Sequence, residues 1–259
     1  MAACLGSVVQ LLVSFWKPNI RIIRQFLPFF FFGVSLTGSI LKELDVVPQT
    51  YFSSSRNLLN LYFVKISWGW NLVLLLPFLF LSNSYNRTHI YVLKRLTALV
   101  VATAIWYICT ETFFYIEDIT GTCYGQSESV QVVREEFSTK AECRRAGLMW
   151  DGFDISGHSF ILAYSTFLIV EEMVPMLHLV QHNQKRTAVL DALYVALNAI
   201  VVIWVWMFAC TSVYFHETIH KILGTGCAVL GWYLTYKAWY LNPFSPGLPP
   251  HHSDHKQHE

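Results

Sequence analysis

The sequence predicts an all-α integral membrane protein with six transmembrane helices. Of its 259 residues, 54% are hydrophobic and only 14% are charged, and the mean hydropathy is +0.41. A soluble domain usually carries about a quarter charged residues. Aromatic residues make up 16% of the chain, which is typical of proteins whose Trp and Tyr rings lie at headgroup level. The net charge of +1, without a long basic run, argues against nucleic acid as a partner, because phosphate backbones are bound by clustered Lys and Arg.

Six apolar runs are long enough to cross a hydrocarbon core of about 30 Å. These spans are predicted at residues 25–41, 66–81, 96–116, 155–179, 192–215 and 222–240. The whole chain, 1–259, is therefore expected to form a single six-span membrane domain.

An apolar segment, residues 1–16, precedes the first span, and the nearest basic residues come after this segment and not before it. That order disfavours a cleaved signal peptide and predicts an interfacial helix that leads into the first span. The first span is uncharged and ends at Lys42, and Pro77 is expected to kink the second. The third span contains one acid, Glu111, which either approaches the site or bonds a neighbouring helix.

The second half of the chain begins with a polar loop, residues 117–153. The fourth span carries Glu171 and Glu172 about 20 Å below its polar start. Buried acids at this depth are expected to pair with Lys or Arg near the other face of the membrane. The fifth span is uncharged, and the tail at 242–259, rich in Pro and His, is predicted to be disordered and cytosolic.

An even number of spans places both termini on one side of the membrane. That side carries most of the basic residues near span ends, namely Lys17, Arg21, Arg24, Arg87, Lys94, Arg95, Lys185 and Arg186. It should therefore be cytosolic. The loop at 117–153 is then lumenal, where Cys123 and Cys143 are candidates for a disulfide that stabilises by roughly 3 kcal/mol. The sequon at Asn86 falls on the cytosolic side and should stay unglycosylated.

A candidate site lies where the fourth span begins, in the stretch Asp154-Ile155-Ser156-Gly157-His158. A serine hydroxyl can donate to a phosphate, and a glycine lets the backbone approach it. The fifth span returns to the same face and delivers His216 there. Two imidazoles, one neutral and one protonated, can supply the nucleophile and the acid of a phosphoryl transfer. Alternatively, both are interfacial histidines bonded to backbone or lipid headgroups.

A second motif overlaps this site, because His216-Glu217-Thr218-Ile219-His220 matches His-Glu-x-x-His. On one continuous helix that pattern presents two zinc ligands and a general base. A third ligand would have to come from Asp151, Asp154 or His158. A membrane zinc hydrolase is thus an alternative, which zinc analysis of the purified protein would test, although we expect no metal and no other cofactor.

Several longer blocks of the chain resemble the fat storage-inducing transmembrane family. They are Lys42-Glu43-Leu44, Asn60-Leu61-Tyr62-Phe63-Val64-Lys65, Ala104-Ile105-Trp106-Tyr107-Ile108-Cys109-Thr110, Gly152-Phe153-Asp154-Ile155-Ser156-Gly157-His158-Ser159-Phe160, Val213-Tyr214-Phe215-His216 and Phe244-Ser245-Pro246-Gly247-Leu248-Pro249-Pro250. The resemblance implies a protein of the endoplasmic reticulum that lipid-droplet formation requires. It also implies a helical bundle similar to the lipid phosphate phosphatases, with both termini cytosolic and the site lumenal. The implied reaction is hydrolysis of fatty acyl-CoA to acyl-4′-phosphopantetheine and adenosine 3′,5′-bisphosphate.

Carried over residue by residue, the resemblance makes His158 the acid that protonates the leaving phosphate oxygen and His216 the nucleophile. Ser156, Gly157 and Asp154 would contact the substrate, and Asp154 could instead orient His158 or cap a helix. The sequence lacks the phosphatases' Lys-x6-Arg-Pro element and their Ser-Arg pair, and it has His220 where they place an orienting aspartate. These departures remove cationic groups that would stabilise the transition state.

Two classes of function remain open at this point. In the first, the protein is an enzyme acting on fatty acyl-CoA. In the second, it is a non-catalytic binder that partitions diacylglycerol and triacylglycerol into lipid droplets, and the histidines only contact headgroups of membrane lipids.

Overall fold

Helices dominate the structure, a computed structural model that describes residues 2–85, 88–125, 137 and 139–249. Within those residues the α-helices are α1 Ala2–Glu43, α2 Ser67–Asn83, α3 His89–Thr120, α4 Lys140–Arg145, α5 Gly157–Glu172, α6 Val174–Gln181, α7 Ala188–Tyr214 and α8 Thr218–Trp232. A π-helical turn, Asn60–Val64, precedes α2, and a second π-helical segment, Tyr233–Ala238, continues α8. The predicted sequon residue Asn86 and the last ten tail residues, 250–259, lie outside the described residues.

Four helical stretches in the described part of the chain are long and apolar enough to cross a membrane. They are Cys4–Glu43, His89–Thr120, Gly157–Gln181 and Ala188–Tyr214. The protein is therefore a multi-pass, mostly helical membrane protein. The other two predicted spans fall on α2, which has 17 residues, and on α8 with its π-helical continuation.

The first helix differs from its prediction, because the expected interfacial segment and the first span form one continuous helix, α1. Packing holds it along its length: the Trp16 indole donates to Asn198 Oδ1 on α7 at 2.6 Å, and Ser35 lies 3.2 Å from Thr225 on α8. Of the basic residues that mark an interface in the sequence, Lys17 and Arg21 are exposed and Arg24 is half-buried, and none of them ends the helix.

Helix α5 lies at the centre of the bundle, with α2, α7 and α8 packed around it. Every residue from Ser159 to Glu172 is buried. Polar groups inside the bundle bond across helices: Asn71 donates to Ser165 at 2.5 Å and accepts from the Trp204 indole at 3.3 Å. Large apolar side chains cover the outer helices, as expected where lipid replaces water.

The end of the bundle where α5 begins, α7 ends and α8 begins is called the site end here. A two-stranded antiparallel sheet lies there, with β1 Thr122–Tyr124 paired to β2 Met149–Asp151, so the fold is not purely α. A disulfide joins Cys123 to Cys143. The segment after β2 is bonded to the end of α3, because the Phe153 backbone donates to the Thr120 hydroxyl at 2.8 Å.

The opposite end carries two buried ion pairs. Glu171 pairs with Arg24 and accepts from the Trp232 indole at 3.0 Å, while Glu172 accepts from Arg95 at 2.6 Å. The expected pairing of both glutamates with basic residues is confirmed, and it keeps them away from the site end.

The first part of the tail, residues 242–249, is ordered against α3, contrary to its predicted disorder. The Arg95 guanidinium donates to the Gly247 carbonyl, Lys94 donates to the Pro243 carbonyl at 2.5 Å, and Ser245 is buried. The physical reason is that a buried guanidinium needs several acceptors. A proline-rich segment has free carbonyls to offer, and composition alone does not show this.

Candidate active site

Helix α5 begins at a serine cap. The Ser156 hydroxyl accepts from the Ser159 backbone N–H at 3.2 Å and from the Ser159 hydroxyl at 2.9 Å, and Ser156 is fully buried. This cap starts the helix at Gly157, and the start of a helix favours an anion. The Ser156 side chain thus positions the helix, and its expected contact with substrate stays a prediction.

Helix α8 reaches the start of α5 through a glycine. A Cβ placed on Gly224 would lie 2.4 Å from the Ser156 carbonyl oxygen, so only glycine permits this approach. The Ser156 backbone also donates to the His220 carbonyl at 3.1 Å. These contacts hold the loop between α7 and α8, which carries His216, beside the first turn of α5, which carries His158.

His158 is half-buried in that first turn, beside the Gly157 that was expected to let a phosphate approach. Its Nε2 lies 3.2 Å from Asn60 Oδ1, on the π-helical turn before α2. Gly157 has open space where a Cβ would be. His216, Asp154 and Lys65 are the titratable groups that act electrostatically on His158. The structure therefore brings the two predicted histidines into one electrostatic environment.

His216 lies between two helices, because α7 ends at Tyr214 and α8 begins at Thr218. Its φ is +50°, a left-handed conformation that costs energy in a non-glycine residue and is concentrated at functional sites. Its Nδ1 lies 3.3 Å from Asp154 Oδ2. The hydrogen bond from His216 holds the pKa of the Asp154 carboxyl below its ordinary value, more than partial burial raises it.

The carboxylate of Asp154 therefore contacts His216, whereas the sequence suggested His158 as the imidazole that it could orient. The reason is that α5 begins only at Gly157, so Asp154 is not one helical turn below His158. The His220 ring packs edge-on against Phe153, with centroids 4.7 Å apart.

Two lysines border His216, although the sequence lacks the phosphatases' cationic elements. Lys42 Nζ, at the end of α1, donates to the His216 carbonyl at 2.7 Å. Lys221, fully buried on α8, donates to the Ser212 carbonyl at 2.7 Å. A cleft of about 490 Å³ is lined by Ser39, Lys42, Glu43, His216, Glu217, Thr218, Ile219 and Lys221. Positive charge thus reaches the cleft beside His216 from α1 and α8.

Comparison with known proteins identifies the family. The model of the family described as "Fat storage-inducing transmembrane protein" matches residues 48–198 and 179–236. The chain belongs to this family. The acyl-coenzyme A diphosphatase FITM2 of Danio rerio is 62% identical over 98% of this chain and 99% of its own length. The Homo sapiens protein of that name is 48% identical, covering 88% and 87%. Fat storage-inducing transmembrane protein 1 of Bos taurus is 32% identical, covering 86% and 78%. No solved structure matches the chain.

The zinc alternative does not fit this member of the fat storage-inducing transmembrane family. His216 precedes α8 and His220 lies inside it, so the two imidazoles do not share one face of a helix, as the motif requires. Among the residues that the structure describes, no three His, Cys, Asp or Glu side chains converge on one point.

Sequence reasoning missed three residues at the site of this family member, namely Asn60, Lys42 and Lys221. The lysines carried a usable signal, because each lies at the end of a predicted span on the predicted lumenal side. Asn60 carried none beyond its place in a block that resembles the family. Glu111, a candidate neighbour of the site, lies exposed on α3.

Proposed function

We propose that this chain is a fatty acyl-CoA diphosphatase that produces acyl-4′-phosphopantetheine and adenosine 3′,5′-bisphosphate and supports lipid-droplet formation. Relatives that are 62% and 48% identical along most of the chain are named acyl-coenzyme A diphosphatases. The observation that carries the proposal is the paired arrangement of the histidines. Each has one ring nitrogen held by a side-chain oxygen, from Asn60 or Asp154, so its other nitrogen is available for chemistry.

The reaction proceeds in two steps. First, His216 Nε2 attacks one phosphorus of the diphosphate. The bond from that phosphorus to the bridging oxygen breaks, and protonated His158 gives its proton to the leaving oxygen. Water then attacks the phosphohistidine and passes a proton to His158. The nitrogen–phosphorus bond breaks and returns the electron pair to His216, so both imidazoles regain their starting states.

Lys42 and Lys221 support this chemistry electrostatically. Phosphoryl transfer spreads negative charge over the phosphate oxygens, and cations fixed beforehand stabilise that charge without reorganisation. Their positions beside His216 offset the missing Lys-x6-Arg-Pro element.

The proposal includes six spans in the endoplasmic reticulum membrane, with α2 and the extended α8 crossing as well. Both termini are then cytosolic and the site lumenal. Support comes from the site end, where the disulfide between Cys123 and Cys143 lies, since disulfides persist in oxidising compartments. The opposite end carries Arg24 and Arg95, in keeping with the excess of basic residues on cytosolic sides.

The test is turnover of fatty acyl-CoA by purified protein in liposomes. His158→Ala and His216→Ala should each lower kcat at least about 100-fold, because each removes a reacting group. His182→Ala, at the opposite end, is the matched control and should retain parental turnover. Equal rates in the parent and both site variants would end the catalytic hypothesis.

An apolar groove favours a second role, the binding of neutral lipid. It encloses about 550 Å³ between α3 and the end of the α8 segment and is lined by Val101, Ile105, Leu234, Thr235, Ala238, Trp239 and Asn242. Diacylglycerol or triacylglycerol chains would fit such a surface. Ala238→Trp should reduce the binding of labelled triacylglycerol and leave acyl-CoA turnover unchanged, whereas unchanged binding would remove the groove from this role.

A further inference from the structure

The side-chain amide of Asn60 has a defined orientation. Asn60 Nδ2 donates to the Ser55 carbonyl at 2.7 Å. A carbonyl oxygen can only accept, so the NH₂ group must face Ser55 and the oxygen must face His158. The atom 3.2 Å from His158 Nε2 is therefore an acceptor.

The backbone around Asn60 holds this orientation. Its N–H donates to Asn57 Oδ1 at 2.8 Å, and its carbonyl accepts from the Lys65 N–H at 2.9 Å, which closes the π-helical turn. Asn60 is 7% exposed. Single π-helical turns inside helices are frequent at functional sites, and this one presents a buried acceptor to an imidazole.

We propose that Asn60 is a positioning residue that keeps neutral His158 in its Nε2–H tautomer, so that Nδ1 is the nitrogen that takes up and delivers the catalytic proton. The catalytic part rests on the proposed function, whereas the tautomer does not. The two histidines are then complementary. His216 has Nδ1 engaged by Asp154 and reacts at Nε2, while His158 has Nε2 engaged by Asn60 and reacts at Nδ1.

The charge around His158 makes the proposal testable. His216 from the α7–α8 loop, Asp154 from the segment before α5 and Lys65 from the turn before α2 all act on it, and Asn60 adds no charge. Asn60→Asp keeps the shape and an acceptor toward Nε2 but places a negative charge there. A neighbouring carboxylate favours the imidazolium, by about one pH unit or more.

The experiment is a ¹⁵N NMR titration of histidine-labelled full-length protein in nanodiscs, with His158 assigned by its loss in His158→Gln. In the parent, neutral His158 should be protonated at Nε2. Asn60→Asp should keep that tautomer and titrate about one unit higher, whereas Asn60→Leu should populate both tautomers. Tyr62→Leu changes an exposed side chain of the same turn, leaves the bonds of Asn60 in place and should match the parent.

Three results would overturn the proposal: a pure Nε2–H tautomer in Asn60→Leu, parental titration in Asn60→Asp, or a mixed tautomer in Tyr62→Leu. Turnover gives a separate readout. Asn60→Leu should lower kcat about 100-fold with little change in KM, and the basic limb of the pH profile of Asn60→Asp should move upward with the titration. If the NMR results hold but the parent does not hydrolyse acyl-CoA, the proposed function fails and the tautomer assignment stands.

Discussion

Asp154, in the segment before α5, has its Oδ2 3.3 Å from His216 Nδ1. Its partner could not be read from the sequence, because helical spacing places it under His158 only if α5 begins early. The serine cap at Ser156 delays the helix to Gly157. The sequence therefore predicted that Asp154 could contact an imidazole, but which imidazole it contacts depends on the hydrogen bond that caps α5 at Ser156.

Asp154→Asn tests whether the Asp154 carboxylate orients the His216 imidazole. The amide keeps the shape but removes the negative charge that faces His216 Nδ1 and orients the imidazole. We expect kcat to fall roughly tenfold or more, as when a catalytic histidine loses its aspartate, with the fold intact by circular dichroism. Parental turnover of this variant would contradict the assignment.

The same carboxylate predicts a pH dependence of stability. Because the pKa of Asp154 is lower in the folded protein, its contact with His216 adds stability above the unfolded value of about 3.9. That contribution is lost as pH falls through the folded value. The difference in thermal unfolding between parent and Asp154→Asn should therefore persist at pH 5 and shrink in more acidic buffer. A difference that instead grows with acid would show that another group is responsible.

The contact between α5 and α8 depends on one glycine, and two glycines of α8 provide a matched pair. Gly224→Ala would place a methyl group 2.4 Å from the Ser156 carbonyl, while Gly226 has nothing within 4 Å. We expect Gly224→Ala to cost about 1–3 kcal/mol and to lower turnover by moving His216 away from His158. Gly226→Ala should change neither quantity. Unfolding in detergent measures the stability, and the liposome assay measures the turnover.

The docking of the tail on α3 is tested at Arg95. Arg95→Leu leaves Glu172 buried without its cation, which costs about 3–5 kcal/mol, and it releases Gly247. We expect unfolding at lower denaturant and faster proteolysis after residue 242. Lys94→Leu, which loses one hydrogen bond to Pro243, should cost only about 1 kcal/mol. An equal loss of stability in the two variants would show that the buried pair of Arg95 and Glu172 does not stabilise the fold.

Hydropathy predicted the helices well, because the length and apolarity of a span are written into consecutive residues. Hydropathy separated residues 1–16 from the first span, although both belong to α1. A single helix can continue through a change in the polarity of its residues. Hydropathy also could not predict that residues 242–249 are ordered, because their partner Arg95 lies far away in the sequence. Contacts between distant segments leave no trace in local composition.

At the scale of the whole molecule, counting spans was enough to bring His158 and His216 to one face. It could not find Asn60, which lies in a π-helical turn whose position is decided by packing. The pattern of charge along the sequence predicts that this face is lumenal.

Glycosylation mapping tests the orientation in microsomes. The native sequon at Asn86 should stay unmodified, while Ser127→Asn, which creates an Asn-Glu-Ser sequon in the 117–153 segment, should gain one glycan removable by an endoglycosidase. The expectation follows from a lumenal site end, since the acceptor must face the lumen. Sugar at Asn86 would reverse the topology.

The hydrogen bond from the Ser156 N–H to the His220 carbonyl also constrains biogenesis. During synthesis the start of α5 leaves the ribosome well before His220 exists, so the Ser156 N–H waits without its final acceptor. Asn60 and Lys42 are made earlier still. Catalytic competence therefore arises only once α8 has been inserted and closed onto α5, and nascent chains released before that point cannot act on substrate.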